Sequence, residues 1–141
     1  MNFADLYALQ QTLAEDIPAF LTARQWTRES HRALDDLRIE RWAQIPNRII
    51  VEYGPDYDTS VIYRTPNAAN YRALAREAGV DALTQHAQKT TPLATYTAYR
   101  DGDDIVILGE PQPGSRIDDY TVIVTTLSNI DALWFESEYI Q

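Results

Sequence analysis

The chain has 141 residues, the size of one ordinary domain, with 45% hydrophobic and 23% charged residues, which excludes a disordered or fibrous protein. The absence of cysteine excludes disulfides, thiolate metal sites and a cysteine nucleophile. The sequence shows no signal peptide and no apolar run that could span a bilayer, so we expect a soluble, cytoplasmic protein.

The net charge of −9 is concentrated in the last third of the chain. Residues 101–141 contain nine acidic side chains and one basic side chain, Arg116, whereas residues 1–100 are nearly neutral. This distribution argues against direct nucleic-acid binding, which needs a clustered basic surface. It is compatible with an acidic patch for a basic protein partner, and also with a solvated face that only keeps the protein soluble. Eleven of the twelve basic residues are arginine, which indicates a GC-rich coding genome, as in many bacteria or phages.

The first part of the chain, residues 1–45, is predicted to be helical. Apolar residues recur at spacings of three and four over 3–15, which is typical of an amphipathic helix, and Asn2 is a candidate N-cap. Pro18 fits the first turn of a second helix. Residues 30–45 suit either a helix or a short strand, and the pattern does not decide between them.

The middle of the chain is predicted to form a hairpin followed by a helix. Runs of β-branched and aromatic residues on both sides of the loop 54–58 predict a hairpin over 47–65. We predict a helix over 66–88, capped by Thr65, in which Gly79 ends the first part.

The last part, residues 93–140, is predicted to form antiparallel strands. The Asp-Gly pair within 101–103 is a strong hairpin-turn signal, and the runs 105–108 and 120–127 are apolar on both faces, as in central strands. Residues 132–140 suit an edge strand, through which the chain could form a homo-oligomer, or a short final helix. The prediction is a single α+β domain with N-terminal helices packed against a mainly antiparallel sheet of five or six strands. We detect no internal repeat in the sequence.

Catalytic and metal-binding motifs are not evident. The sequence contains neither a glycine-rich phosphate loop nor a nucleophile elbow. His31 and Asp35 have helical i,i+4 spacing but no third ligand, and the turn at 101–104 lacks the spaced oxygen ligands of a calcium loop. We therefore assign no catalytic residue, metal or cofactor, and we expect a binding protein in preference to an enzyme.

Acidic turns and tyrosines are the best candidates for a binding surface. Tyr57 lies between two aspartates at the tip of the predicted hairpin, where a tyrosine offers a large, rigid contact area, although it is also compatible with an ordinary loop residue. The residues predicted to bind a basic protein partner are Asp56, Tyr57, Asp58, Asp101, Asp103, Asp104, Asp118 and Asp119. This predicts a non-catalytic inhibitor, immunity protein, chaperone or phage accessory protein, without membrane binding.

An alternative function comes from the order of the predicted elements. Helices, a hairpin, a helix and then three or four strands resemble the cone-shaped fold of the ketosteroid isomerase and nuclear-transport-factor superfamily. The resemblance lies in element order, and no motif residue is matched. It implies a curved sheet around a helix, with a cavity that binds or isomerises a small apolar molecule between tyrosine, tryptophan and one acid.

Overall fold

The computed structural model describes residues 1–130, which form one antiparallel sheet and several helices. The α-helices are α1 (Phe3–Gln11), α2 (Ile17–Ala23) and α3 (Ala68–Ala78), with short 3-10 helices at Ala14–Asp16 and Val80–Ala82. The strands are β1 (Thr27–Leu34), β2 (Leu37–Gln44), β3 (Asn47–Gly54), β4 (Tyr57–Thr65), β5 (Thr84–Thr90), β6 (Ala94–Asp101), β7 (Asp104–Pro111) and β8 (Tyr120–Thr126). Residues 127–130 are helical.

The sheet contains eight strands within residues 1–130, in the order β1-β2-β3-β4-β8-β7-β6-β5, and all neighbours are antiparallel. The predicted α+β class with an antiparallel sheet is confirmed, but the predicted number of five or six strands is wrong. None of the helices in the described part of the chain is long and apolar enough to cross a membrane.

The predicted helical region 1–45 is wrong beyond α2, because β1 and β2 form a hairpin over residues 27–44. Gln25 has φ +70° and Asp35 has φ +53°, so the backbone turns immediately before β1 and again between the two strands. The alternative that the sequence left open for 30–45 is therefore settled as strand. Antiparallel pairing with β3 stabilises β2. The spacing of apolar residues within this segment gives no indication of such pairing with another strand.

The predicted helix 66–88 is wrong at both ends. Asn67, not Thr65, is the N-cap of α3, because its side chain accepts a hydrogen bond from the Asn70 amide at 3.1 Å. Gly79 does end α3, in the left-handed conformation at φ +68°, but residues 84–90 are strand β5 and not a further helix.

The remaining predicted segments are placed more closely. Strands β3 and β4 form the hairpin over 47–65, and β6, β7 and β8 lie within the predicted strand region 93–140. The last residues of this region, 131–140, lie outside the described part of the chain. The prediction of an edge strand or a short helix over 132–140 therefore also falls outside it. The edges of the described sheet are instead β1 and β5.

Both faces of the central strands are buried. On one face, α1, α2 and α3 share an apolar cluster with alternate strand residues; we call this the helix-side face. Its members include Leu6, Leu9, Ile17, Leu21, Trp26, Trp42, Ile49, Val51, Tyr63, Tyr71, Leu74, Val106, Leu108, Val122 and Val124. A second cluster on the other face contains Ile39, Ile50, Ile62, Tyr96, Ile105, Ile107 and Ile123. Burial of both faces explains the continuous apolar runs in β7 and β8.

The sheet is built from two halves with the same strand pattern. In each half a helical segment precedes a four-stranded antiparallel meander, β1–β4 in the first half and β5–β8 in the second. The last strands of the two meanders, β4 and β8, pair with each other at the centre, where Ile62 lies opposite Ile123. The pairs on either side, Val61 with Val124 and Tyr63 with Val122, are related by a local two-fold axis.

The register of the two halves is also the same. Adding 57 to a residue number in β1, β2 or β3 gives its counterpart in β5, β6 or β7, so that the pair Glu40–Val51 corresponds to Thr97–Leu108. Each edge strand has a bulge at its third residue, Glu29 and His86. Only Thr27 and Ile50, among residues 27–54, are identical to their counterparts, so the repeat is present in the fold but not detectable in the sequence.

Candidate functional site

Three acidic turns lie at one end of the sheet. The β1–β2, β3–β4 and β6–β7 turns share this end because neighbouring strands alternate in direction. We call it the acidic end, and its aspartates are Asp35, Asp36, Asp56, Asp58, Asp101, Asp103 and Asp104. The first two belong to the β1–β2 turn and were not among the residues predicted to bind a partner.

The hairpin of Tyr57 and the β6–β7 turn are close together. Asp104 pairs with Thr126 of β8, and the Thr126 hydroxyl donates to Oδ2 of Asp58 at 2.6 Å. Only strand β8 therefore separates the two turns. Since neighbouring strands are about 4.8 Å apart, the backbones carrying Asp58 and Asp104 are about 10 Å apart.

Asp58 is held by hydrogen bonds at the end of β8. Its carboxylate accepts from the hydroxyls of Thr126 at 2.6 Å and Ser128 at 2.7 Å, and its carbonyl oxygen accepts from Nδ2 of Asn129 at 2.6 Å. The hydrogen bonds from Thr126 and Ser128 lower the pKa of Asp58 below its ordinary value. Asp58 is thus kept charged, and it also attaches residues 127–130 to the hairpin.

Two tyrosines are exposed at or beside the acidic end. Tyr57 is 45% exposed at the start of β4, and Tyr7 of α1 is 39% exposed. The Tyr7 hydroxyl donates to Oδ2 of Asp104 at 3.1 Å, and this hydrogen bond raises the pKa of Tyr7. Sequence reasoning missed Tyr7, because its partner is 97 residues away in the chain and no local pattern indicates the contact.

Two grooves open at the acidic end. One, of about 430 Å³, lies between the end of α1 and the β3–β4 hairpin, and Leu13, Tyr53, Tyr57 and Asp58 are among its lining residues. The other, of about 380 Å³, lies between Asp58 and Asp103. Among the residues that the structure describes, neither lining includes a lysine or an arginine. Leu13 is 66% exposed, so the first groove combines apolar, aromatic and anionic surface.

The arginines near the acidic turns do not neutralise them. Arg38 donates to the backbone carbonyl of Asp35 at 3.1 Å, and Arg100 donates to that of Gly102 at 2.7 Å. Within residues 1–130, none of the aspartates of the acidic end forms an ion pair. The negative charge of this end therefore faces solvent.

Asp118 and Asp119 lie at the opposite end of the sheet. They precede Tyr120, the first residue of β8, whereas Asp58 contacts Thr126, the last residue of that strand. Six steps along a strand span about 20 Å. The structure therefore brings together Asp56, Tyr57, Asp58, Asp101, Asp103 and Asp104, and separates Asp118 and Asp119 from them.

Metal-ligating side chains are not grouped in the described part of the chain. No cluster of three or more histidine, aspartate or glutamate residues is placed to hold a metal ion within residues 1–130. His31 lies in strand β1 and Asp35 in the turn that follows it. The helical spacing between these two residues therefore does not exist in the folded chain.

A buried carboxylate lies on the helix-side face of the first half. Glu40 is only 1% exposed and accepts hydrogen bonds from Nε1 of Trp42 at 3.1 Å and from the hydroxyl of Tyr53 at 2.5 Å. A guanidinium nitrogen of Arg28 lies 3.9 Å from Oε1 of Glu40. Burial, together with the hydrogen bond to Glu40, raises the pKa of Tyr53 to about 12. The donors satisfy this carboxylate inside the core, which is typical of a structural role.

Comparisons with known proteins identify no relative. No family model matches the chain, and no curated protein or solved structure is significantly similar to it.

Proposed function

We propose that this protein is a non-catalytic binding protein whose acidic end binds a basic segment of a protein partner. The observation that carries the proposal is the strand order. It brings Tyr57 and the β6–β7 turn to either side of β8, next to two grooves that are lined by no cationic side chain from the described part of the chain.

The grooves suit the side chains of arginine and lysine. A guanidinium group that enters the groove beside α1 would lie near the ring of Tyr57 and the carboxylate of Asp58, two groups that attract cations. Asp58 already has a fixed orientation from its two hydroxyl donors, so little further ordering is needed on binding. The exposed aspartates of the β6–β7 turn would act over a longer range, by increasing the rate of encounter with a basic partner.

The experiment uses two variants that change the net charge equally, from −9 to −7. Asp101→Asn/Asp103→Asn removes two charges at the acidic end, and Asp118→Asn/Asp119→Asn removes two at the opposite end. Binding of a nona-arginine peptide is measured by calorimetry at 50 and 300 mM NaCl, where the screening lengths are about 14 Å and about 6 Å, respectively. Each exposed charge contributes about 0.5 kcal/mol, so the first variant should weaken binding about fivefold, and the second should not.

A third variant tests contact separately from charge. Tyr57→Ala leaves the net charge unchanged, and it should weaken binding by a similar factor at both salt concentrations, because it removes ring contact. Equal affinities for the two double variants would contradict the proposal, since they would show that the peptide responds only to total charge.

The ketosteroid-isomerase-like alternative gains no specific support. Between α1, α3 and the central strands, the helix-side face is filled by buried side chains such as Leu6, Leu9, Tyr63 and Leu74. The three grooves that we describe are all open at the surface. Binding or isomerisation of an apolar molecule in an internal cavity therefore stays an untested prediction.

A further inference from the structure

A third groove lies far from the Tyr57 hairpin, on the helix-side face of the second half. It has a volume of about 460 Å³ and lies between α3 and strands β5–β7. Its wall includes Arg72 and Arg76 of α3, and its floor includes Thr95, Thr97 and Tyr99 of β6. This volume is within the range of about 300–1,000 Å³ that is typical of sites for small organic molecules.

The local two-fold relation explains why this surface is open. Thr97 and Tyr99 are the counterparts of Glu40 and Trp42, both of which are buried. In the first half, α2 and the residue Trp26 after it belong to the same cluster as Trp42. In the second half, the segment between α3 and β5 is only the short 3-10 helix Val80–Ala82. The groove thus occupies the position that apolar side chains fill in the first half.

The groove is rich in hydrogen-bond donors. Arg72 and Arg76 are one helical turn apart and exposed, and neither guanidinium has a hydrogen bond or ion pair with the described part of the chain. The oxygen of Thr97 accepts from Gln88 at 3.3 Å, and that of Thr95 accepts from Gln112 at 3.0 Å. Because each hydroxyl already accepts a hydrogen bond, its own proton is available to an acceptor in the groove.

Tyrosine hydroxyls and a single carboxylate complete the lining. Tyr71 and Tyr99 contribute phenol groups, and among the lining residues within 1–130 Glu110 is the only acidic one. Burial raises the pKa of Tyr71, so its hydroxyl stays protonated and can donate near neutral pH. Several donors against one carboxylate acceptor complement a ligand with many acceptor oxygens.

We propose that this groove binds a small organic oxyanion, with its carboxylate or phosphate held by Arg72 and Arg76 and its other oxygens by the threonine hydroxyls of β6. Arginine pairs are well suited to such groups, because a planar guanidinium donates two parallel hydrogen bonds to a carboxylate or phosphate. Glu110 can accept from a hydroxyl group of the same ligand, which would favour a hydroxylated anion over a simple one. This site is independent of the acidic end and of the proposed protein partner.

The test is a titration followed by the backbone amide signals in ¹⁵N NMR spectra. The two probes are glycerol 3-phosphate and malate, which carry a hydroxyl group next to a phosphate and a carboxylate, respectively. At least one of them should shift the amide signals of Thr95, Thr97 and Tyr99 in a saturable manner. The probe with the lower Kd identifies the anionic group that the groove prefers.

Arginine variants decide whether the arginines bind the anion. Arg72→Gln and Arg76→Gln should each weaken binding at least about tenfold, the effect of losing one charge-assisted hydrogen bond. Arg116→Gln is the matched control: it changes the net charge equally, and Arg116 is likewise exposed and makes no hydrogen bond with residues 1–130. It should leave the Kd unchanged.

A fourth variant uses the two-fold relation directly. Thr97→Glu introduces the carboxylate that Glu40 provides at the corresponding position of the first half, and it should abolish binding of both probes. Two results would overturn the proposal: the absence of saturable shifts with either probe, or equal affinities in Arg72→Gln, Arg76→Gln and Arg116→Gln. Arg72, Arg76 and Arg116 are exposed and Thr97 is half-buried, and the amide spectrum of each variant without probe shows whether the fold is retained.

Discussion

The two halves of the sheet have the same strand order and register, but different layers cover them. On the helix-side face of the first half, Trp42 and Val51 pack in one cluster with Leu21 of α2. At the corresponding positions of the second half, Tyr99 and Leu108 border an open groove. On this face, the same backbone pattern therefore carries closed apolar packing over β2 in the first half and an open, partly polar groove over β6 in the second half.

If the groove binds the proposed oxyanion, this difference separates the part of the sheet that stabilises the fold from the part that binds. Burial of apolar side chains supplies most of the free energy of folding, so the half with the additional helix should contribute more to stability. The second half has fewer buried side chains on the same face, and its exposed donors and acceptors are available to a ligand. We expect substitutions at equivalent depth in the two halves to have unequal effects.

The largest difference should come from truncating leucines. Leu21 is fully buried, and Leu21→Ala should lower the free energy of unfolding by about 3–5 kcal/mol, because the closed core retains a cavity. Leu108 borders the groove, so water can enter the space left by Leu108→Ala, and its loss should be about 2 kcal/mol or less. Urea denaturation measures both values. Equal losses would show that the two halves are packed alike.

The next effect concerns tyrosine hydroxyls. Tyr53→Phe removes a hydrogen bond to buried Glu40 and should cost about 1–3 kcal/mol at pH 7, because one carboxylate oxygen loses a donor. In the second half, Tyr99→Phe should change the stability by less than about 0.5 kcal/mol, since its hydroxyl makes no hydrogen bond with residues 1–130. A comparable loss of stability in both variants would contradict the proposed difference in packing between the two halves.

Tyr53 should also influence stability at alkaline pH. The pKa of Tyr53 is raised from 10.0 to about 12 in the folded protein, so folding favours the protonated phenol. Its contribution to stability is complete below pH 10 and is lost as the pH rises from 10 through 12. Tyr53→Phe should therefore show a less steep decrease over this interval. A decrease remains, because burial also raises the pKa values of Tyr63 and Tyr96.

A smaller effect is expected at the boundary between the halves, where Asp58 of β4 contacts the end of β8. Asp58→Asn should lower stability by about 1 kcal/mol at pH 7, a modest value because this carboxylate is exposed. The pKa of Asp58 is lowered below 3.8, so the stabilisation is present above that pH and is lost as the pH falls through the pKa of the folded state. Denaturation between pH 2 and 7 should show this loss in the wild type and not in the variant. Asp56→Asn is the control. If both variants altered the pH profile equally, the hydrogen bonds from Thr126 and Ser128 to Asp58 would not be the source of the acid-sensitive stability.

Local turn chemistry was the part of the fold that could be predicted. The hairpin over 47–65, the Asp-Gly turn after β6 and the helix end at Gly79 each follow from a few adjacent residues. Strands β1 and β5 could not be recognised, because they are polar edge strands, and every residue of β1 is exposed. Backbone pairing with a neighbouring strand stabilises them, and this pairing leaves no periodic apolar pattern.

The same reasoning explains which of the predicted binding residues lie together in the fold. Acidic turns are visible in the sequence, but the end of the sheet at which a turn lies depends on the direction of each strand. Asp101 and Asp103 lie near Tyr57 because the β6–β7 turn and the β3–β4 turn are at the same end of the sheet. Asp118 lies in the loop that connects the far end of β7 with β8, so it is at the opposite end. The groove beside α3 could not be predicted, because it is recognised by comparing the two halves. That comparison requires the register of every strand.

The smallest predicted effect comes from the floor of that groove. Thr97→Val keeps the shape of the side chain and removes a hydroxyl that accepts a hydrogen bond from Gln88, which is exposed. Because the groove is open to water, Gln88 can bond to water instead, and the free energy of unfolding should change by less than about 0.5 kcal/mol. Binding of the oxyanion probe should weaken in the same variant, because valine cannot donate. A loss of stability above about 1.5 kcal/mol would indicate that Thr97 belongs to the core, as Glu40 does in the first half, and that the two halves differ less than their coverage suggests.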